Sequence, residues 1–349
     1  MIENDDAFVT FDDVCLKTGL STVPSRSEVD ITTQLGDYEL QLPVMTAAMD
    51  TVTSEDMAEV MLNHGACVFH HRNQSVDQRI SLLEAHRDHP NVRDKKALNG
   101  VAVGTSATSE DVQRYIGAGA NLIGLEVAHA YHVNTIEAVK RIGPICNDNG
   151  VLLMVGNFSS PDAIQWLRDN TSSLVDIVKV SQGGGSCCTT RVVTGIGKPT
   201  LQAVMDLDTS YDVIADGGLR TSGDVAKALG AGASAVMLGS MLSATDETPG
   251  EIIEKDGKKY KAYRGMASKD AKEDDDTNPS DHAKNVEGVS TLNPYKGSAV
   301  DILKQIREGL QSSISCCGFE DLQMFRKEAR FVRVSRASNL EGRPHAIST

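Results

Sequence analysis

A glycine-rich loop that carries two adjacent cysteines is the part of this sequence best suited to chemistry. The apolar segment Ile177–Val180 predicts a buried strand, and it runs directly into Ser181-Gln-Gly-Gly-Gly-Ser-Cys-Cys-Thr-Thr-Arg191. Because glycine has no Cβ, backbone N–H groups of such a loop can approach an anion closely. A cysteine thiol beside a phosphate-sized nest could attack a nucleotide base covalently. The alternative interpretation is a surface loop that happens to contain cysteines, since glycine-rich loops alone are weak evidence of function.

Length, charge and cysteine usage exclude several classes of protein. The 349 residues accommodate two domains or one large α/β barrel. A formal net charge of −14 argues against non-specific binding to nucleic acid or an anionic membrane. We expect no transmembrane segment and no signal peptide, because no apolar run is long enough and the N-terminus is acidic. The seven cysteines fit neither a disulfide framework nor a zinc site, which predicts a reducing, cytoplasmic compartment.

Short apolar segments alternate with helical patterns along most of the chain. Eight of them are continuous in apolar character, as expected of parallel strands covered on both faces: Leu42–Thr46, Ala66–Phe69, Gly100–Val103, Leu122–Leu125, Leu152–Val155, Ile177–Val180, Val213–Ala215 and Ala235–Leu238. Among the helical patterns between them, two have Ser109 and Ser222 as expected N-caps. Eight strand–helix units predict a (β/α)8 TIM barrel. A doubly wound open sheet is the alternative, and it fits less well because polar residues follow many strands.

Active-site residues of such a barrel lie at the C-terminal ends of its strands. The polar or small residues at those ends include Met49, Arg72, Glu126, Asn157, the cysteine loop, Asp216-Gly-Gly218 and Gly239-Ser240. Three of these turns, Gly185-Ser186, Gly217-Gly218 and Gly239-Ser240, follow consecutive predicted strands. They are therefore expected to converge on one phosphate group.

The repeat is interrupted after the eighth predicted strand. Residues 265–297 contain a highly charged run, 269–276, and then a polar stretch with proline. A long charged insertion over the mouth of a barrel is typical of a mobile active-site flap. Asp274–Asp276 are interpreted as a solvated loop. Residues 298–349 are expected to form a C-terminal extension, so that residues 1–349 make a single catalytic domain.

Several motifs together resemble the IMP dehydrogenase/GMP reductase family over nearly the whole chain. They are Thr10-Phe-Asp-Asp-Val14, Ala47-Ala-Met-Asp-Thr-Val52, Gly185-Ser-Cys-Cys-Thr-Thr-Arg191, Ala215-Asp-Gly-Gly218, Val236-Met-Leu-Gly-Ser240, Tyr263-Arg-Gly-Met266, Glu287-Gly288 and Pro294-Tyr-Lys-Gly297. The resemblance implies a (β/α)8 barrel that assembles as a homotetramer. It also implies a purine nucleoside monophosphate, GMP or IMP, as the substrate.

The resemblance implies catalytic roles for three residues. Cys188, rather than Cys187, matches the catalytic cysteine, because Thr189-Thr190-Arg191 follows it. Its thiolate would attack C2 of the purine, and a hydride would move to or from a nicotinamide at the same carbon. Thr190 and Glu287 match the pair that activates and protonates the leaving amine in the reductases, although both residues also occur in the dehydrogenases.

Binding residues are also implied by the resemblance. The substrate-binding residues would be Ser186, Gly218, Gly239 and Ser240 for the phosphate, Asp216 for the ribose, and Met49, Met266, Ala267 and Ser268 for the purine. The cofactor-binding residues would be Arg72, Glu126, Ala128 and Asn157. A monovalent cation such as K+ would lie on the carbonyl groups of Gly183, Gly185 and Cys188. Glu126 stands where the family usually has an aspartate, which moves this carboxylate outward by one methylene.

The flap sequence favours a GMP reductase, which converts GMP and NADPH into IMP, ammonia and oxidised cofactor through a covalent Cys188 intermediate. IMP dehydrogenases activate water with an Arg–Tyr pair in the flap, whereas no arginine or tyrosine lies between Arg264 and Tyr295. One alternative is an NAD-dependent IMP dehydrogenase, with His282 or Lys284 as its base. Only about 30 residues separate His71 from Gly100, so inserted regulatory CBS domains are not expected.

Two further points stay open at this stage. A non-catalytic purine nucleotide-binding barrel would keep the fold without the chemistry. The motifs also leave open a deoxynucleotide substrate and a preference for NADH over NADPH.

Overall fold

A computed structural model describes residues 8–207, 210–274 and 286–342 of the chain. Eight parallel strands form a closed barrel in chain order, in which the last strand pairs with the first. They are β1 (Val44–Thr46), β2 (Cys67–His70), β3 (Leu98–Val103), β4 (Leu122–Glu126), β5 (Leu152–Phe158), β6 (Ile177–Val180), β7 (Asp212–Asp216) and β8 (Ala235–Leu238). Each of the eight apolar segments overlaps one strand, and the predicted (β/α)8 barrel is confirmed.

The strands are mostly apolar because both of their faces are covered. In β5, Leu152 and Met154 point into the barrel interior, whereas Leu153 and Val155 pack in the layer between strands and helices. Gly124 of β4 leaves room for the Phe69 ring, since a Cβ at this position would lie 2.2 Å from its Cζ atom. A hairpin of Thr33–Leu35 and Tyr38–Leu40 adds Leu35, Tyr38 and Leu40 to the interior cluster.

Helices surround the barrel and continue into the C-terminal region. Their bounds are Glu55–Asn63, Val76–His86, Pro90–Arg93, Ser109–Gly117, Val133–Asp148, Pro161–Thr171, Thr190–Thr194, Thr200–Met205, Ser222–Gly230, Lys269–Glu273, Ala299–Cys316, Leu322–Glu328 and Arg336–Glu341, with a 3-10 turn at Arg26–Glu28. Only Val76–His86 and Pro90–Arg93 lie between β2 and β3, so the described chain has no inserted domain there. Across the residues that the structure describes, none of these helices combines the length and apolarity of a membrane span.

Two N-caps lie one residue before their predicted positions. Thr108 and Thr221 have extended backbones, and their side chains accept N–H bonds from Asp111 and Asp224. The prediction of Ser109 and Ser222 was wrong because each serine is already the first helical residue. Thr108 also forms a reciprocal capping box with Asp111.

Replacing Thr108 by alanine should lower the free energy of unfolding by about 1 kcal/mol, since the Asp111 N–H at the start of the helix loses its acceptor. Ser109→Ala is the matched control in the same turn and should change that free energy by less than about 0.5 kcal/mol. Urea titration followed by circular dichroism measures both. Equal losses for the two variants would contradict the assignment of the cap.

A three-stranded antiparallel sheet follows β8 and carries the predicted flap. It consists of Ile253–Lys255, Lys258–Arg264 and Ser290–Pro294, and the last two strands pair from Tyr260 with Pro294 to Arg264 with Ser290. The predicted flap range 265–297 therefore includes the strand Ser290–Pro294. Residues 275–285 lie outside the described part, and with them His282, Lys284, Asp275 and Asp276.

One residue of the acidic run is paired, although it was interpreted as solvated. Asp274 is 66% exposed but lies 2.6 Å from Arg264, whose guanidinium also contacts Asp50 at 2.6 Å. Asp50 follows β1, so this pair of contacts ties the start of the flap to the rim of the barrel.

Candidate active site

A cavity of about 510 Å³ opens at the C-terminal end of the barrel, and this volume is in the range of small-molecule sites. Strand ends and flap residues line it together. The predicted site residues in this lining are Met49, Arg72, Glu126, Ala128, Asn157, Gly183, Gly185, Ser186, Cys188, Thr190, Asp216, Gly218, Gly239, Ser240, Met266, Ala267 and Glu287. The structure thus brings together residues that are spread over 239 positions of the sequence, from 49 to 287.

Ser268 is the predicted site residue that lies apart from this lining. It is buried, and its hydroxyl accepts the Ala271 N–H at the start of the helix Lys269–Glu273. Its side chain is therefore used as a helix cap.

A hydrogen-bond chain links the candidate nucleophile to a carboxylate. The Cys188 thiol donates to Thr190 Oγ1 over 3.1 Å, and the Thr190 hydroxyl donates to Glu287 Oε2 over 2.7 Å. Cys188 and Thr190 come from the loop after β6, whereas Glu287 comes from the returning arm of the flap. The three predicted catalytic residues therefore form one connected path for a proton.

Backbone pairing holds this carboxylate beside the thiol. The Thr189 N–H donates to the Glu287 carbonyl at 2.9 Å, and the Val289 N–H donates to the Cys187 carbonyl at 3.0 Å. Gly288 lies between them, and a Cβ there would come within 3.0 Å of the Ser268 nitrogen. Glycine at position 288 is thus required for the close approach of the flap to the cysteine loop.

The two adjacent cysteines differ in environment. Cys187 is only 3% exposed, and burial raises the pKa of its thiol to about 11. A hydrogen bond with Ser186 lowers this pKa in part, and the neighbouring Cys188 raises it. Both cysteines contribute to the cavity lining, but Cys188 is only half-buried. Cys187 therefore stays protonated at neutral pH and lacks the link to Thr190.

The three predicted glycine turns meet at one side of the cavity. Gly217 and Gly218 have φ values of +92° and +83°, which favour glycine. A Cβ on Gly217 would lie 2.9 Å from the Gly184 carbonyl carbon, so these two loops are in direct backbone contact. Such a concave group of backbone N–H donors is suited to an anion.

Tyr263 also lines the cavity beside these turns, and the sequence interpretation missed it. Its hydroxyl donates to Met49 Sδ over 3.8 Å and would lie 2.9 Å from a Cβ on Gly239. Burial raises the pKa of Tyr263 to about 12, so the hydroxyl stays neutral and can donate. Its place in Tyr263-Arg-Gly-Met266 was the available signal, because Met266 of the same motif was predicted to be in the site.

Lys179 is the second residue that the sequence interpretation missed. It is 2% exposed, and its Nζ lies 2.6 Å from Asp216 Oδ2 and 3.2 Å from Glu126 Oε1. Burial alone would lower the pKa of Lys179, but the two carboxylates outweigh burial and raise it. A lysine inside the otherwise apolar segment Ile177–Val180 was the signal, because a buried ammonium needs charged partners.

On the predicted cofactor side of the cavity, the described residues leave one buried hydrogen-bond acceptor, the side-chain oxygen of Asn157, without a donor. Asn157 Oδ1 is buried and makes no hydrogen bond within the part of the chain that the structure describes. Burial raises the pKa of the nearby Glu126. The positive charge of Lys179 lowers this pKa in part, and the negative charge of Asp216 raises it further. A ligand hydroxyl or carboxamide N–H would satisfy Asn157, which fits the nicotinamide riboside that was expected here.

The predicted cation site is compatible with the loop geometry. The Gly185 carbonyl accepts the Cys188 N–H at 3.0 Å, and a second lone pair stays available for coordination. The described residues contain no cluster of three or more His, Cys, Asp or Glu side chains that could hold a metal ion. A monovalent cation on the carbonyls of Gly183, Gly185 and Cys188 stays a prediction.

Comparisons with known proteins identify the family of this chain. Residues 8–345 match the IMP dehydrogenase / GMP reductase domain. A GMP reductase from Lactococcus lactis subsp. cremoris is 34% identical over 93% of this chain and 95% of its own length. An inosine-5'-monophosphate dehydrogenase from Nitrosopumilus maritimus is 31% identical over 97% of this chain and 98% of its own length. That alignment spans 475 positions, more than the 349 residues here, so the dehydrogenase contains segments that this chain lacks.

A solved structure extends the agreement to three dimensions. A GMP reductase variant from Trypanosoma brucei, crystallised in complex with guanosine 5'-monophosphate, superposes with a TM-score of 0.90. The two chains are 25% identical, and the superposition covers 98% of each. The chain therefore belongs to the IMP dehydrogenase/GMP reductase family of oxidoreductases, as its motifs predicted.

Proposed function

We propose that the protein is a GMP reductase, which uses NADPH to convert GMP into IMP and ammonia. The observation that carries this proposal is the chain from the Cys188 thiol through Thr190 to Glu287, since it joins a nucleophile to a proton path for a leaving amine. The flap sequence supports the reductase over the dehydrogenase, because no arginine or tyrosine lies between Arg264 and Tyr295 to activate water. GMP reductases among the relatives and structures agree with this choice.

The direction of the hydrogen bonds gives the order of proton transfer in the first step. When the Cys188 sulfur bonds to C2 of the guanine ring, its proton passes through the Thr190 hydroxyl to Glu287. Glu287 then protonates the exocyclic amine, and the C2–N bond breaks as ammonia leaves. The thiol proton ends on ammonia, so the step is balanced and leaves the purine attached to Cys188.

The second step needs the cofactor side of the cavity. Bound NADPH would supply the hydride that replaces sulfur at C2, giving IMP and the oxidised cofactor. Glu126, Ala128, Asn157 and Arg72 would hold its nicotinamide riboside beside the purine. Cys188 is released as a thiolate, and one proton from solvent restores the thiol.

Substrate binding in this proposal follows the geometry of the cavity. Ser186, Gly218, Gly239, Ser240 and Tyr263 would receive the phosphate through backbone N–H and hydroxyl donors. Asp216 would accept the ribose hydroxyl protons, and Met49, Met266 and Ala267 would contact the purine. A homotetrameric assembly, a cytoplasmic location and K+ on the cysteine loop stay predictions from the family resemblance.

Paired reactions test the proposal. Nicotinamide absorbance is followed with GMP and NADPH in one reaction and with IMP and NAD in the other. We expect NADPH to be consumed and ammonia to be released in the reaction with GMP and NADPH, and no change of absorbance in the reaction with IMP and NAD. The dehydrogenase relatives make the second reaction the rival, and NADH formation with XMP there would overturn the reductase. Binding of GMP without turnover in either reaction would indicate a non-catalytic barrel.

Replacing Gly217 by alanine should weaken GMP binding by about tenfold or more, because the new Cβ clashes with the Gly184 backbone at a positive φ. Gly223→Ala is the control, since a Cβ there would meet only the Thr221 hydroxyl at 3.6 Å. Titration calorimetry with GMP measures both variants. An unchanged affinity of the Gly217→Ala protein would place the phosphate elsewhere.

A further inference from the structure

Lys179 lies under both halves of the proposed site. Its side chain starts on β6, and its ammonium contacts Asp216 at the end of β7 and Glu126 at the end of β4. Gly156 of β5 makes room for it, because a Cβ at this position would lie 2.7 Å from the Lys179 Cβ and 3.3 Å from its Cε. The lysine stem can therefore cross the barrel floor beside β5 and reach both carboxylates.

The two carboxylates that contact Lys179 carry more negative charge than its ammonium can neutralise. One ammonium faces two carboxylates, each about one-fifth exposed. Arg72, from the loop after β2, is a second positive charge near Glu126 and lowers its pKa. Tyr263, on the strand Lys258–Arg264, lies close enough to Asp216 for that carboxylate to raise the pKa of the tyrosine. Without the ammonium, two carboxylates would face each other in a poorly solvated floor, where one of them would retain a proton.

We propose that Lys179 is a positioning residue for both subsites, because its ammonium lies between Asp216 and Glu126 and holds both carboxylates in place as acceptors for the nucleotide ribose and the nicotinamide ribose. The inference rests on the proposed function for the identity of the two ligands. It predicts that Lys179, through its contacts with Asp216 and Glu126, controls the affinity for the nucleotide and the affinity for the cofactor together.

Lys179→Met tests this role, because methionine keeps most of the stem and removes the charge. GMP affinity, measured by titration calorimetry, should fall by about tenfold to a hundredfold at pH 6, and the KM for NADPH should rise. The loss should shrink toward pH 8.5, since the carboxylate pair then releases its extra proton and both groups become acceptors again. The wild-type affinity over the same range is the reference, because the second ionisation of the GMP phosphate, at about pH 6, affects both proteins alike.

Lys198→Met is the matched control, because it removes an ammonium 2.5 Å from Asp206, in an ion pair that does not line the cavity. It should leave GMP affinity and its pH dependence unchanged. Lys179→Arg keeps the charge and should keep the wild-type pH dependence, even if its affinity is lower. This second variant keeps the test valid if the methionine variant folds poorly.

A double variant separates charge from packing. In Lys179→Met/Glu126→Gln, the floor loses the second carboxylate, so Asp216 can ionise alone. GMP affinity at pH 6 should therefore recover to within about tenfold of wild type, whereas the KM for NADPH should stay raised. A pH-independent loss in Lys179→Met, with no recovery in the double variant, would assign Lys179 to packing and overturn the proposal.

The binding experiment is independent of turnover. If the wild-type protein binds GMP but consumes no NADPH with it, the proposed reaction fails, and the effect of Lys179 on nucleotide binding is still measured. If turnover is normal and the Lys179→Met protein binds GMP like wild type at every pH, the proposed function stands and the role of Lys179 is wrong.

Discussion

Replacing Cys188 by alanine is expected to abolish turnover, with kcat lower by about 10^4-fold or more. The alanine removes the proposed nucleophile, whose thiol also starts the hydrogen-bond chain to Thr190. GMP affinity should change little, since the anion site and Asp216 stay intact. Steady-state NADPH consumption gives the rate, and titration calorimetry gives the affinity.

Cys187→Ala is the matched control for this variant, and it should retain most of the wild-type kcat. Its thiol is buried, with a pKa raised to about 11, so it cannot replace the neighbouring nucleophile at neutral pH. Mass spectrometry after brief incubation with iodoacetamide should find label on Cys188 and none on Cys187, besides any label on the exposed Cys15 and Cys316. Turnover in the Cys188→Ala protein would exclude the covalent route, and loss of turnover in Cys187→Ala alone would exchange the two roles.

Replacing Glu287 by glutamine should slow ammonia release by about 10^2-fold to 10^4-fold. Glutamine keeps an acceptor for the Thr190 hydroxyl, but it can neither take the thiol proton nor give it to the departing amine. A rapid-quench measurement of ammonia in the first turnover reports this step directly. GMP affinity should be preserved, because Glu287 reaches the site through Thr190 rather than through the anion site.

Glu273→Gln serves as the control for Glu287, because Glu273 is another flap glutamate, half-exposed and 3.6 Å from Lys269. It should leave ammonia release unchanged. Thr190→Val interrupts the same path one residue earlier and should reproduce the Glu287→Gln effect. A fall in GMP affinity with normal ammonia release would assign Glu287 to binding and not to proton transfer.

The barrel was predictable because its signal is local. A strand that is covered on both faces is mostly apolar, so each of the eight strands is recognisable within three to five residues of sequence. Residues at strand ends were predictable for the same reason. Once the barrel is assumed, the ends of all parallel strands share one rim, and Asp216, Asn157 and the glycine turns must lie near each other.

Local errors arose where one residue decides the geometry. Ser109 and Thr108 are both good capping residues, and only the backbone angles place the cap at Thr108. The sequence also did not indicate that the Ser268 hydroxyl caps a short helix. The purine contact that the motif implied for Ser268 stays a prediction.

The sequence by itself determined the barrel and the family, because these depend on residue types at short, regular spacings. Only the tertiary structure decided which distant groups meet. Glu287 reaches Thr190 across 97 positions, and Lys179 reaches Asp216 across 37 and Glu126 across the barrel floor. Such contacts depend on where strands and flap bring side chains in space, and a buried charge is placed by its partners, which no local pattern encodes.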